Sequence, residues 1–510
     1  MGSSLVFLLG VLSFADAPRI RAVEVRCNEV FETNREKRSF WFFRLANRLH
    51  ILTREEQVRQ ELLFAEGDLL DAEAVGQTER NLRAFPYLRD ARISTVPAGD
   101  GVVDVRVETW DSWSTQLELG IATAGDVVVW SAGISEKNLL GRGKHLELSY
   151  RSDIDRDSGT LYYRDGRVLG SRIATALTLS NRSDGRLADL GVARPFFALS
   201  TPWAFAARIS GFDQLDPLYA AGEKVQELRH VRQFGDVELA RAVKRSRSSA
   251  LRFHGGYRHV EDEVGTDRRD FGIARIGLSF RRHDFLKVTH VNNFEVADDF
   301  NLGDEASAFV GLSTPALGGE PGQVLFFFVE ERRGRSLGRE HFIQARATWQ
   351  ARRRHGDLEQ NVASFEIDYY NKLAPRRLLA ASVQLVYGSN LDPEFQLSRG
   401  AESGLRGYPV RQFTGSRSLL LTAEKRFFIA DDVARIASIG LAAFFDAGYA
   451  WPEGERLRLA DLKSDVGVGL LIGRNRLASR RGLRFDLAYA LQPLTGRSPW
   501  LFSVGSRIGF

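Results

Sequence analysis

Nowhere in the 510 residues do apolar side chains run on for the ~18 positions that a membrane-spanning helix needs, so helical spanning is excluded. The same absence leaves a β-barrel untouched, because a barrel strand shows only every second side chain to lipid. Cys27 is the only cysteine, which excludes an intramolecular disulfide. It does not suit lipidation either, since Arg21, Glu24 and Arg26 break the apolar run that should precede it, and a packed strand position is expected. Methionine is confined to Met1, and the formal charge of +5 is too small for this length to invoke nucleic acid. Histidine is sparse and badly spaced for a metal: His283 beside Asp284, and His254 with His259, lack the companions of a ligand set. No metal and no cofactor is expected.

What is present begins with a short apolar run, Leu5 to Ala15, followed by Ala15-Asp16-Ala17, a small-x-small cleavage pattern. Residues 1–17 are therefore expected to be a signal peptide, although Met1-Gly2-Ser3-Ser4 lacks the usual positive charge. Residues 18–110 read as strand, helix, helix, strand, strand. Ile20 to Cys27 alternates apolar and charged residues. Arg35 to Leu49, with Phe40, Trp41, Phe42 and Phe43, is expected as an amphipathic insertion. Thr53 with Glu56 predicts a capping box opening a helix to about Leu63, ended by Gly67-Asp68. Asp71 opens a second helix whose apolar side is Val75, Thr78, Leu82 and Phe85, and Pro86 closes it. Arg89 to Val96 and Val102 to Thr109 are strands joined by a hairpin turn at Ala98-Gly99-Asp100-Gly101. This order, with Phe64-x-Glu66-Gly67-Asp68, Glu79-Arg80-Asn81-Leu82-Arg83 and Tyr87-Leu88, resembles a POTRA domain. The resemblance implies a periplasmic unit that receives unfolded chains, partly as strands added to its sheet edge.

From Trp113 onward the helical period gives way to a period of two. Trp500, Phe502, Val504, Ile508 and Phe510 fall on one face, with Ser506 the only polar intruder, and Ser503, Gly505, Arg507 and Gly509 on the other. Leu483 to Leu491, Ala363 to Tyr369 and Leu146 to Tyr150 repeat the pattern. A soluble sandwich also alternates. About 400 residues of strand and turn exceed one sandwich, however, and strands in lipid must close on themselves. The expected fold is mainly β: a transmembrane antiparallel barrel over 111–510 behind the small α/β domain. At roughly ten residues per strand plus loops, there is room for about 14 to 18 strands.

Three motifs carry a wider resemblance. Glu136-x-Asn138-Leu139-x-Gly141-x-Gly143 lies between the second and third expected strands, its glycines suited to a tight turn. Leu405-Arg406-Gly407-Tyr408 lies in a long connection between strands near Leu379–Tyr387 and Leu419–Phe428. In Phe444-x-Asp446-x-Gly448, the outward alternation of Ile439, Leu441, Ala443, Phe445 and Tyr449 turns Asp446 inward. Together with the terminal Phe510 these resemble the BamA/TamA-like outer-membrane assembly and translocation superfamily, of the bacterial surface antigen barrel type. The resemblance implies about 16 strands, a loop folded back into the lumen, and an Arg406–Asp446 contact there. A guanidinium in a confined interior needs such a partner. Glu424 and Arg426 are expected on the same inner face.

Other signals fail on context. Gly334-Arg335-Ser336-Leu337-Gly338 matches a nucleophile pattern, but His341 to Trp349 behind it alternates as a strand, where a nucleophile elbow needs a helix. A polar extracellular loop is the expectation. Gly143-Lys144 lacks the spacing of a phosphate loop. The Arg-rich stretch Arg241 to Arg252 is expected as solvated loop and lumen wall.

The resemblance implies insertion or translocation of polypeptides at the outer membrane, without catalysis. Expected partners are unfolded outer-membrane or secreted polypeptides, periplasmic chaperones or accessory proteins, lipid and lipopolysaccharide. The first strand (about Trp113–Ala122) and the last (Trp500–Phe510) would meet at a seam. Gly505 and Gly509 offer little there to pack, leaving an edge for client strands. A two-partner secretion pore and a passive diffusion porin stay open as alternatives.

Overall fold

The structure is a computed structural model describing residues 17–31, 45, 47–124, 127–433, 437–474, 477 and 482–505. Most of the expected signal peptide, most of the aromatic insertion, and Ser506, Arg507, Ile508, Gly509 and Phe510 lie outside the described residues.

The front domain is a three-stranded sheet with two helices on one face. Strand β1 (Arg19–Asn28) runs parallel to β3 (Val102–Asp111), which pairs antiparallel with β2 (Leu88–Gly99), so β1 and β2 are both edges. A register shift between Ile20 and Ala22 breaks the simple alternation of β1, so Ile20, Val23 and Val25 all reach the core. Helix α1 (Glu55–Arg59) is shorter than expected. Arg54 sits at its N-cap position, because the Thr53 hydroxyl is drawn away to Asp111 at 2.9 Å. Helix α2 (Ala72–Arg83) is capped as expected, Asp71 accepting from the Glu73 N–H. Thr78 and Leu82 on its inner side meet Val58, Phe64 and Tyr87 in a common core.

Behind it stands a closed antiparallel barrel of 20 strands, from Thr115–Ala124 to Trp500–Gly505, each beside its predecessor in the chain. Twenty corrects the expected 16. The excess arises because many connections are two-residue turns, as at Ala221-Gly222, Gly265-Thr266 and His355-Gly356, leaving more chain for strands. Alternation orients the wall as the sequence implies. Leu117, Leu119, Ile121, Ile209, Leu239, Ile276, Leu441 and Phe502 are exposed on the outside, while Glu424, Asp446 and Asp486 are buried inside. Where strands run longest, as in Glu223–Arg245 with 23 residues, the outward side chains farthest from the front domain turn charged. Asp213 pairs there with Arg229, and Glu261 and Arg268 are exposed on the next two strands. That part of the wall rises beyond the apolar band.

Strand polarity assigns the connections to two ends. The near end carries the front domain. The far end carries the long connection 390–416, which folds back into the lumen. Gly334–Gly338 closes the strand Val324–Gly338 at the near end, so the expected far-side loop is instead an ordinary hairpin arm. A second large connection, 283–304, enters the lumen from the near end as a small hairpin, Phe285–Val288 against Asp298–Asn301.

Candidate functional site in the barrel lumen

Two lumen-facing residues on each of three strands, and one loop, build the site. Arg417–Val433 supplies Glu424 and Arg426, Ala437–Trp451 supplies Phe444 and Asp446, and Leu483–Ala490 supplies Arg484 and Asp486. Each pair is spaced two apart, so the pleat puts both members on one face. The loop 390–416 adds Arg406. Its Nε and Nη2 donate to the two carboxylate oxygens of Asp446 at 2.7 and 2.9 Å, and Nη1 donates to Glu424 at 2.9 Å. The guanidinium lies 3.5 Å from the centroid of the Phe444 ring, so a cation–π contact backs the bidentate ion pair.

Glu424 is the hub. It accepts from Arg406, from Arg426 Nε at 2.6 Å, and from Arg484 Nη1 and Nη2 at 2.9 and 2.7 Å. Arg484 Nε also donates to Asp486 at 2.7 Å. Burying charges is costly unless each is paired and hydrogen-bonded, and this network meets that condition with one exception. Asp465, on the strand Lys463–Gly473, sits directly opposite Asp446, fully buried, with no hydrogen bond to either carboxylate oxygen among the described residues.

The rest of the motif seats the loop. Leu405 and Tyr408 are buried with Phe413 against Leu420, Ala450 and Ala490. The Tyr408 hydroxyl lies within 3.3 Å of the Ser464 and Gln492 carbonyls and the Gln492 side chain. Gly407 is required by close approach: a Cβ there would lie 2.6 Å from that of Asp465. Gly448 likewise faces the Leu419 carbonyl, where a Cβ would come within 2.6 Å. The sequence-predicted residues Leu405, Arg406, Gly407, Tyr408, Glu424, Arg426, Phe444, Asp446 and Gly448 thus converge. Alternation in the sequence marks Arg484 and Asp486 only as inward wall residues and does not single out Asp465. The charged two-apart spacing of Arg484 and Asp486 repeats that of Glu424 and Arg426, and was the available signal.

The turn motif serves elsewhere, holding the front domain to the barrel. Leu139 ends its strand, and Leu140, Gly141 and Gly143 take positive φ. Asn138 is buried; its side-chain Nδ2 donates to Thr53 Oγ1 at 2.9 Å and its side-chain Oδ1 accepts from the Gly143 N–H at 2.7 Å. Glu136 accepts from the Asn138 N–H at 2.7 Å and from the Thr115 hydroxyl. The Arg54 N–H donates to the Gly141 carbonyl at 3.0 Å, and a Cβ on Gly143 would lie 2.6 Å from the Tyr87 hydroxyl. Burial drives the Tyr87 hydroxyl well above the usual phenol range, so it stays protonated. Apart from both sites lies the seam, where the described pairs are Ser503 with Ala124 and Val504 with Thr123. Phe502 and Trp500 are exposed beside it, and Gly505 has open space around it.

No protein-family model matches the sequence, and no curated protein matches it. Among solved structures, BamA from Haemophilus ducreyi lacking POTRA domains 1-3 is similar at 14% identity and TM-score 0.43, covering 96% of this chain and 85% of that one. CdiB from Escherichia coli is similar at 13% identity and TM-score 0.47, covering 96% and 76%. CdiB from Acinetobacter baumannii gives 12% identity and TM-score 0.41, covering 96% and 73%. The structural neighbours of this chain include barrels of the BamA and CdiB kind.

Proposed function

We propose that this chain is an outer-membrane factor that inserts or translocates other polypeptides, and that it belongs to the BamA/TamA-like superfamily. The observation that carries the reading is the Arg406 clamp. A loop from the far end is held inside a 20-stranded barrel by a bidentate ion pair to Asp446 and a third bond to Glu424. The outward apolar band supports placement in a bilayer, and the front domain then lies in the periplasm. Its strand–helix–helix–strand–strand order and the edge strand β2 support a POTRA-like role, receiving unfolded outer-membrane or secreted chains by strand addition, while residues 67–70 already bond to the outer side of β1. Periplasmic chaperones or accessory proteins would deliver those chains, and lipid with lipopolysaccharide would surround the barrel. A passive diffusion channel is disfavoured because chain enters the lumen from both ends.

In this reading clients pair with the strand edges at the seam. Thr123 and Val504 are direct cross-strand partners, within the span a disulfide bridges. Oxidised Thr123→Cys/Val504→Cys protein, reconstituted in liposomes with an unfolded client barrel, is expected to lose client insertion and recover it on reduction. Full insertion by the oxidised form would sink the proposal.

A further inference from the structure

The connection 283–304 lies apart from the seam, and its apolar residues are buried or half-buried. Between the strands Asp267–Arg282 and Glu305–Ser313 it enters the lumen and packs along the inner wall from the strand His341–Arg354 to the strand Lys463–Gly473. Val288, Val291, Phe294, Phe300 and Leu302 are at most 9% exposed. They pack on Phe342, Tyr370, Leu378, Phe428 and Leu471, inward residues of strands that start beyond His341. The wall is shaped for them. Phe294 fills a socket opposite Gly440 and Gly473, where a Cβ on Gly473 would come within 2.3 Å of its ring, and it meets Phe428 edge-on at 5.1 Å. An apolar patch on the inner wall of an aqueous barrel has no use unless something covers it.

This plug is held both in the lumen and outside it, and His290 Nε2 also lies 3.1 Å from a carboxylate oxygen of Asp431. In the lumen, Arg426 Nη1 donates to the Val291 carbonyl at 2.9 Å, and Arg426 is the guanidinium bound to Glu424. Outside, helix α2 grips the hairpin. Arg83 makes a bidentate pair with Asp299 at 2.9 Å twice, Arg80 stacks 4.3 Å over Phe285, and Lys287 lies 3.7 Å from Glu79. The two short strands pair with each other and with no barrel strand among the described residues. The plug can therefore leave without breaking the barrel ladder.

We propose a further activity for this chain: gated passage through the lumen, with residues 283–304 as a displaceable plug that helix α2 of the front domain holds shut. The proposal goes beyond the seam reading and does not depend on it. A chain engaging the front domain would shift α2, free Asp299, and let the hairpin swing toward the near end. The far-end loop would stay seated through Arg406 and Asp446.

Conductance of the full-length protein in planar bilayers tests this. Wild-type protein is expected to be nearly closed. Replacing residues 286–300 by a short Gly-Ser link is expected to give steady open conductance. Arg83→Glu is expected to raise open probability about tenfold, the factor that losing one well-placed charge pair carries. Adding Asp299→Arg to it is expected to restore closure. Heat-modifiable migration reports whether each barrel is folded, and the Arg83 pair of variants decides the matter even if the shortened barrel fails to assemble. A folded shortened barrel that conducts like wild type overturns the proposal. So does an Arg83→Glu variant with wild-type open probability, which would make the hairpin a fixed filling. Neither outcome bears on client insertion at the seam.

Discussion

Arg406→Ala removes the donor of three hydrogen bonds and a cation–π contact at one stroke. Glu424 keeps Arg426 and Arg484, but Asp446 loses the bidentate partner and faces Asp465 across the strand pair. Breaking one side of a buried pair costs ~3–5 kcal/mol. Against this, Leu405, Tyr408 and Phe413 remain buried, at ~1.5–3 kcal/mol each. The loop should therefore stay docked in most molecules but open far more often, by about a hundredfold to several thousandfold. Hydrogen exchange reads this directly at the Leu405 and Tyr408 amides, which donate to Gly400 and Leu405 carbonyls. Barrel strands should keep their protection, because no ladder bond is touched. Lysine at 406 keeps the charge but not the planar fork, and should fall between wild type and alanine. Aspartate should be worst, since it faces Asp446, Glu424 and Asp465 together. Adding Asp446→Arg to it can recover only part of the loss, because Glu424 then has a carboxylate where Arg406 stood. Unchanged exchange at Leu405 and Tyr408 in Arg406→Ala would refute the clamp.

Asp465→Asn keeps shape and removes a buried carboxylate that faces Asp446 without a hydrogen bond; its urea midpoint should equal or exceed that of wild type, and a clear fall would contradict the assignment. Gly143→Ala forces a side chain into positive φ and against Tyr87; at ~1–3 kcal/mol for the strain alone, limited proteolysis should release the front domain faster. Burial, then Arg281 and Arg80, depress His283 to about 4, with Glu305 opposing and Arg252 adding to the effect, and Glu73 lies 4.0 Å away. A base lowered below its ordinary value stabilises the folded contact above about pH 6.5 and loses that contribution as pH falls toward 4, up to about 3 kcal/mol. Front-domain release measured by proteolysis should therefore rise across that window and flatten in His283→Gln.

Much of this architecture was legible because lipid and water impose it side chain by side chain. The outward run Ile439, Leu441, Ala443, Phe445 fixed where Asp446 must point, and Arg406 then had a partner to reach. Strand number was not legible, since it depends on how little chain each turn consumes, and Ala221-Gly222 or His355-Gly356 carry no mark of being a whole connection. Thr53 read as a cap because local chemistry favours one; its actual partner, Asp111, is 58 residues away. The plug was missed for a related reason. Val288, Phe294 and Phe300 have no period of two or of 3.6 between them, and their complement is a set of glycines and aromatics on strands that alternation alone describes as ordinary wall.

Glu424 joins two segments that enter the lumen from opposite ends. One of its oxygens accepts from Arg406 of the far-end loop, the other from Arg426, which holds Val291 of the near-end hairpin. Thermodynamic linkage makes such an arrangement reciprocal: whatever strengthens one occupant's grip on the shared carboxylate alters the other's by the same factor. A ligand caught by the far-end loop would thus be felt by the near-end hairpin, and whatever pulls on the hairpin would change how firmly Glu424 holds Arg406, while Asp446 keeps its own grip.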